Sequence, residues 1–554
     1  MSFASLKLSR VIAAVVAVTF VLSLAWAAVP AQAQTLTVIY NAEGDPGIAT
    51  PLGEAIAVGR DGKLYTTDLS SGVFLGVFSF TTAGVVTLVN NVGGYPAGGV
   101  TLGTDGNFYG VNQNGGIFVN CGASNGGQVY KLTPAGVETV LHNFTGNGDG
   151  CNPYTAPIQA ANGTYYGTTP MNGGFASSQN STVYTVTSAG VFATLHTFTG
   201  ADGQNVYASL VQGTDGNFYG VAQTGGTSNE GVIFKMTSAG TVTVLHNFTG
   251  VDGCGAYTPL IQASDGNFYG TTPCGTGGGS AGVIFKITPG GVYTVLHYTP
   301  SGDTSSPGSS LVQGTDGKLY GVTASGSSGV YGTIYSITTS GAFTVLHTFV
   351  NTDGNDPSSP LRQHTNGKFY GTTAYGGDLS CAGGLGCGAL YSFDVGLGAF
   401  ASLVTTSGKE GAKIGILGQG FSSSSVVKFG GTKATTIALS GTTFINATVP
   451  AGALTGAVTV TTGLTTLTSS KTFNVTPTMT SFSPSSGPVG TLVTINGTGL
   501  MQATKVTFNG KSASFTAVSD IETTATVPTG ATTGKIKVTT KGGSVTSATS
   551  FTVN

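Results

Sequence analysis

Charge is scarce in this chain: Asp, Glu, Lys and Arg make up 8% of its 554 residues, too few to clothe helices in solvated faces or to hold a long disordered segment extended. The one tryptophan, Trp26, falls in an N-terminal segment with the form of a leader, so the remainder has none of the indole platforms that sugar sites often use. There are six cysteines and no Cys-x-x-Cys spacing, which excludes the ordinary zinc and thiol-redox motifs. Beyond Val29 there is no long apolar run, and therefore no candidate membrane helix. The six histidines form neither a His-rich metal spacing nor a Ser, His, Asp set.

The first 33 residues have the form of an export signal. Lys7 and Arg10 give a positive start, an uncharged apolar run follows from Val11 to Val29, and Ala31-Gln32-Ala33 offers the small-x-small site cut by a signal peptidase. An uncleaved anchor is the competing reading of the run. The expectation is a mature chain from Gln34 onward, secreted or held at the cell surface, with no membrane span after cleavage.

What the chain has in quantity is glycine, 90 residues, together with Thr, Val and Ser, a mixture that favours short strands joined by tight turns. Its formal charge of −2 hides a split. From Gln34 to Val395 there are 19 acidic against 8 basic residues, and from Gly396 onward 3 against 10. Two modules that meet different surroundings are implied.

The hexapeptide DGNFYG occurs three times, at Asp105–Gly110, Asp215–Gly220 and Asp265–Gly270, and near-copies raise the number to seven. Its tyrosine falls at Tyr65, Tyr109, Tyr166, Tyr219, Tyr269, Tyr320 and Tyr370, in steps of 44, 57, 53, 50, 51 and 50 residues. A period near 50 with strand-like segments inside is the signature of a propeller blade. In the unit from Pro259, Leu260 to Ala263, Phe268 to Thr272, Val283 to Ile287 and Val292 to His297 read as four antiparallel strands. Asp265-Gly266 is expected to form a two-residue type I′ turn with positive φ at both residues. Thr35 to Asn41 resembles a fourth strand and precedes any first one, while the seventh copy ends at its third, Ala389 to Phe393. The N-terminal strand is thus expected to complete the last blade and close the ring.

The pattern (N/K)-(F/L)-Y-G-x-T, then Gly-Gly, then G-x-(I/V)-(F/Y), then T-V-L-H-x-F resembles the GloVer tandem repeat of secreted bacterial proteins over about 360 residues. That resemblance implies export and one of several cell-surface anchors, with no established activity. The stretch Ser550 to Asn554 departs from it, with no apolar helix, basic tail or sortase-type motif, which weighs against covalent anchoring.

Ser402 to Phe421 and Ser481 to Leu500 align, with Gly408, Gly411, Gly418 and Gly420 on Gly487, Gly490, Gly497 and Gly499. Two units of just under 80 residues with short alternating strands suggest two small β-sandwiches. The string SFSP-SGP-GT-VTI-GTGL is similar to the IPT/TIG immunoglobulin-like domain, strongly in the second unit and weakly in the first. Some members of that family bind DNA, but export and the absence of a dense Arg cluster argue against nucleic acid. The fold class expected is therefore all-β: a leader over 1–33, a seven-bladed β-propeller over 34–396, and immunoglobulin-like sandwiches over 397–475 and 476–554.

His142, His196, His246, His297 and His347 share one place in the fourth strand and read as packed or hydrogen-bonded structural residues; His364 stands in a first strand beside a turn. Strand alternation puts the loops after the second and fourth strands on one face. All six cysteines fall there and pair locally as Cys121 with Cys151, Cys254 with Cys274, and Cys381 with Cys387, one of 15 connectivities and one that suits an oxidising compartment. Asp45, Asp149, Asp202, Asp252, Asp303 and Asp353 recur after the fourth strand on the same face. They read first as turn caps, with calcium ligation the competing reading; no other cofactor is expected. Glu54, Asp68, Glu230, Asp356 and Asp378 occur once each at or near this face, where loops are longest and most varied, and are the candidate binding residues.

The function expected from these features is a non-enzymatic extracellular binding or adhesion protein, a monomer whose loop-rich face takes a glycan or protein while the basic sandwich pair acts as a spacer or touches an anionic envelope. A propeller-fold glycoside hydrolase or polysaccharide lyase using Glu54 and Glu230 is the alternative, and a purely structural surface component the second.

Overall fold

The computed structural model describes residues 34–41, 56–68, 76–92, 94–116, 121, 126–170, 180–275, 282–299, 306–324, 329, 331–357, 359–380 and 384–554. The expected leader lies outside them. The described residues are all-β, with no α-helix, and nearly every strand belongs to a four-stranded sheet.

Between Thr35 and Asp394 the described residues form seven four-stranded antiparallel sheets, one for each copy of the hexapeptide. The fifth is made of Ile261–Gln262, Phe268–Thr272, Val283–Ile287 and Tyr293–Tyr298, close to the strands expected from the sequence. In the seventh sheet the outer strand is Thr35–Asn41, paired antiparallel with Ala389–Asp394. The N-terminus thus supplies the strand that the last repeat lacks.

The turn within the hexapeptide differs from the type I′ geometry expected. Gly266 N–H donates to the Ala263 carbonyl at 2.9 Å across a four-residue turn, and Gly266 has φ of 82° while Asp265 does not take a positive φ. The reason lies in the aspartate side chain. Asp265 Oδ1 accepts the Asn267 N–H at 3.1 Å and Oδ2 accepts the Tyr269 hydroxyl at 2.7 Å, so the carboxylate closes the turn locally and leaves only the glycine to turn left-handed. The same two bonds recur at Asp105 and Asp215. Where the motif has asparagine, Asn162 and Asn366 donate Nδ2–H to Tyr166 and Tyr370 instead.

Each tyrosine so held reaches the next sheet. Tyr109 stacks on Tyr165, Tyr166 on Phe218 and Tyr219 on Phe268, with ring centroids 3.8, 4.1 and 3.9 Å apart. The residue stacked upon is the aromatic that precedes the tyrosine of the following motif. The final glycine has its own cause: a Cβ on Gly220 would stand 2.5 Å from the Phe234 ring, which the third strand lays across the second. Apolar clusters fill each gap between consecutive sheets, and one containing Tyr370, Leu390, Leu64 and Phe78 joins the seventh sheet to the first. The circle of sheets is closed.

Residues beyond Asp394 pass beneath the ring on the side of the hexapeptide turns. Ala401 to Val475 enclose one apolar core, from Ala401 and Ile414 to Phe473 and Val475, and Val493 to Phe551 enclose another. The two units share an architecture, sheets of strand order Ser402–Leu403, Lys413–Leu417, Phe444–Thr448, Ile437–Ser440 and Thr478–Ser483, Leu492–Thr498, Glu522–Thr526, Phe515–Ser519. The first is fixed to the ring. Leu417 and Phe444 belong to the cluster between the seventh and first sheets, the Arg60 guanidinium lies 4.5 Å over the Phe444 ring, and Thr443 Oγ1 donates to the Arg60 carbonyl at 2.7 Å.

The two C-terminal units meet where the Thr455 N–H donates to Gln502 Oε1 at 2.8 Å, and a pair of carboxyls lies at the same junction. Glu410 accepts the Gly452 N–H at 2.8 Å and lies near Asp520; burial first, and the neighbouring Asp520 carboxyl next, push its pKa up to about 7. Two carboxyls can bond only while one keeps its proton. Because the folded value is raised, this contact is fully present below the ordinary carboxyl range near pH 4.5 and is lost as pH rises through about 7. Small-angle scattering of the native chain is expected to show the two units spreading between pH 5 and pH 8, and Glu410→Gln is expected to abolish the change. A native profile independent of pH over that interval contradicts the assignment.

Candidate functional site

The face opposite the hexapeptide turns is built by the loops after the second and fourth strands. Its repeated acids are spent on their own turns. Asp252 Oδ1 accepts the Thr249 N–H and hydroxyl at 2.9 and 2.8 Å, and Oδ2 meets His246 Nε2 at 3.0 Å. The same clasp joins Asp149 to His142 at 3.1 Å, Asp202 to His196 at 2.8 Å and Asp353 to His347 at 3.1 Å. Burial alone raises a carboxylate's pKa; at Asp149 and Asp202 the donors from His and Thr outweigh it, and both are held below the ordinary value. Burial pushes the His246 pKa down, against the pull of Asp252.

The histidines also bind sheet to sheet. His142 lies flat on Phe192, His246 on Tyr293 and His297 on Phe343, with centroids 3.6, 3.9 and 4.1 Å apart. Each partner ring opens the outer strand of the following sheet. The repeated His and Asp are thus bonded or stacked within the repeat in the described copies; Asp45 and Asp303 lie outside the described residues. Among the described residues no three His, Cys, Asp or Glu side chains gather to hold a metal ion.

Cys121 is bonded to Cys151 and Cys254 to Cys274, across 30 and 20 residues. The second occupies a recurring position: Gln204 bridges Thr224, and Asn355 bridges Tyr375, where Cys254 bridges Cys274. A contact made elsewhere by backbone hydrogen bonds is covalent in the fifth repeat. Cys387 is disulfide-bonded as well; its expected partner Cys381 lies outside the described residues.

The unrepeated acids divide. Asp356, with φ of 59°, occupies the same left-handed position as Asn152 and Asn205, at 53° and 57°, and its N–H donates to the Tyr331 carbonyl as that of Gly255 does to Glu230. Its residue type answers a backbone requirement that Asn, Gly and Asp meet most readily. Glu230 is half-buried over the Gly250 turn. Asp378 is half-buried and accepts the Ser380 N–H at 2.9 Å, a bond that lowers its pKa. Asp68 ends the strand Leu64–Asp68 opposite Gly76. Glu54 lies outside the described residues, and with it the Glu54 and Glu230 pair.

A second concavity went unnoticed in the sequence. The innermost strands of the sheets line a central channel of about 560 Å³, and residues 402–407 with Ser470 and Lys471 floor it. In five sheets the glutamine of that strand reaches the hexapeptide turn of the sheet before: Gln262 Oε1 accepts the Thr214 N–H at 2.9 Å, and Gln159, Gln212, Gln313 and Gln363 do the same for Thr104, Ala161, Ser264 and Thr315. Arg362 and Lys471 are the charged residues on the channel wall. Arg362 carried a readable signal, since the equivalent residues are Ile158, Val211, Ile261 and Val312; Lys471 carried none, because nothing in the sequence brings the first sandwich under the ring.

The sequence profile of the Gloeobacter/Verrucomicrobia repeat matches residues 116–314 and again 243–444, together more than half of the chain. This chain belongs to that repeat family. Residues 477–553 match the IPT/TIG domain. None of the curated proteins matches it. Among solved structures, it is similar to a putative gluconolactonase, at 9% identity and a TM-score of 0.35, over 66% of this chain and 94% of that one. It is also similar to a fungal alcohol oxidase in complex with copper, at 12% and 0.39, over 92% and 99%. SGBP-B from a xyloglucan utilization locus of Bacteroides uniformis is similar over 27% of this chain and 48% of that one, at 20% and 0.15. Likenesses at this level carry no activity across.

Replacing Cys254 and Cys274 together by serine is expected to cost about 2 to 4 kcal/mol in chemical unfolding. The backbone bridge of the fourth and seventh repeats remains available to hold the variant's loop. Unchanged stability would show that the bridge alone suffices.

Proposed function

We propose that this chain is an exported, non-enzymatic binding protein of the cell surface or its surroundings: a seven-bladed β-propeller on two immunoglobulin-like sandwiches, presenting its disulfide-stapled loop face to an extracellular glycan or protein. The observation that carries this reading is that both described disulfides staple loops of one face, while the repeated His, Asp and Tyr residues are consumed in packing. Variation is thereby concentrated where the scaffold is braced, which is how loop-borne recognition sites are built. Disulfides suit an oxidising compartment, in keeping with residues 1–33 as an export signal; no helix of the described residues is long and apolar enough to cross a membrane. The basic C-terminal half, 10 Lys and Arg against 3 acids, suits contact with an anionic envelope polymer. Its first unit, rooted in the ring's own core, would hold that contact at a fixed distance from the loop face.

A glycan and polysaccharide array probed with the mature protein in calcium and again in EDTA tests this. Selective binding that is equal in the two buffers is expected, because the repeated carboxylates already serve Thr and His donors. Loss of binding in EDTA would return calcium to the Asp set, and an array blank in both buffers would remove the glycan.

A further inference from the structure

The channel carries an arrangement that the repeat does not require. Its innermost strands begin with Ile158, Val211, Ile261 and Val312 in four sheets, but with Arg362 in the seventh. Arg362 Nε is buried and meets no hydrogen-bond acceptor among the described residues. Lys471 lines the same volume from the floor. Burial lowers the pKa of Lys471, and the nearby charge of Arg362 lowers it further. The lysine keeps exposed surface, so solvent screens part of its charge. Two cations therefore line one channel, and no Asp or Glu stands among the described residues around it. Like charges brought together without a counter-ion are costly, and an unsatisfied guanidinium donor adds to that cost.

An oxyanion relieves both. The guanidinium offers a planar fork of donors and the ammonium a second charge, the combination that recognises carboxylate and phosphate. Around them the floor contributes the hydroxyl-bearing side chains of Ser402, Thr405, Thr406, Ser407 and Ser470, suited to a ligand that also carries hydroxyls. A volume of about 560 Å³ falls in the range of small-molecule sites. We propose that the central channel binds a small hydroxylated oxyanion, a carboxylated or phosphorylated sugar of one or two rings, with its acid group between Arg362 and Lys471. This site is separate from the loop face and does not depend on what that face binds.

The test is calorimetric titration of the mature chain at low ionic strength with galacturonate, glucose 6-phosphate, inorganic phosphate and neutral galactose. Binding of at least one sugar acid and none of galactose is expected. Lys471→Gln is expected to weaken it about tenfold or more, the loss of one charge-assisted hydrogen bond. Arg362→Lys, which keeps the charge and removes the fork, is expected to weaken it as well. Without anion, Lys471→Gln should unfold no earlier than the native chain, because it relieves a repulsion; this separates a lost site from a lost fold. Phosphate binding as tightly as the sugar acids would support the site with a free oxyanion as its occupant. No binding by the native chain, or equal binding by all three proteins, overturns the proposal.

Discussion

The structure depends on one contact repeated around a circle, a held tyrosine packed on the next motif, which is ring on ring at five of the seven junctions. A carboxylate or amide three residues before the aromatic pair closes a tight turn and grips the tyrosine hydroxyl, as Asp215 grips Tyr219 at 2.9 Å; the ring so fixed stacks on Phe268 of the next motif. Neither half works alone. An unheld tyrosine would lose rotamer freedom on stacking, and a held one without the next repeat would leave its face in water. Each motif gives a tyrosine ring to the next, which receives it on an aromatic at five junctions and on Leu64 or Leu319 at the other two, so the hexapeptide is both the product and the cause of the ring's closure.

Other layers of contact follow the same logic at different radii. Near the axis, glutamines tie each innermost strand to the turn before it. At the rim, histidines clasped by loop aspartates lie flat on the aromatic that opens the next outer strand. The repeated polar residues are thus bonded to their neighbours in the repeat and are not spare for chemistry. Residues that break the pattern lie in the braced loops above and, as Arg362 and Lys471, on the channel wall. The first C-terminal unit belongs to this division too, since by sharing a core with the first and seventh sheets it turns a through-channel into a floored one.

Much of this was legible in the sequence because the signals were local or repeated. Period, strand order, the closing role of Thr35–Asn41 and the pairing of Cys121 with Cys151 and Cys254 with Cys274 all follow from spacing. The turn at Asp265 was misread because Asp-Gly suggests a two-residue hairpin, and the competing bonds from Asn267 and Tyr269 appear only when the side chain is placed. Asp356 looked singular because its residue type is rare among the copies; its φ of 59° shows a position shared with Asn152 and Asn205. The channel floor was illegible, since residues 402–407 and Lys471 reach the axis only through the docking of one domain under another.

A double-mutant cycle on Tyr219→Leu and Phe268→Leu tests the account most directly. Leucine keeps apolar bulk and removes the stacked geometry, so the cycle isolates the ring-on-ring term. A coupling of about 0.5 to 1.5 kcal/mol between the two substitutions in chemical unfolding is predicted. Strict additivity of the single effects would contradict the claim that motif-to-motif stacking joins the sheets.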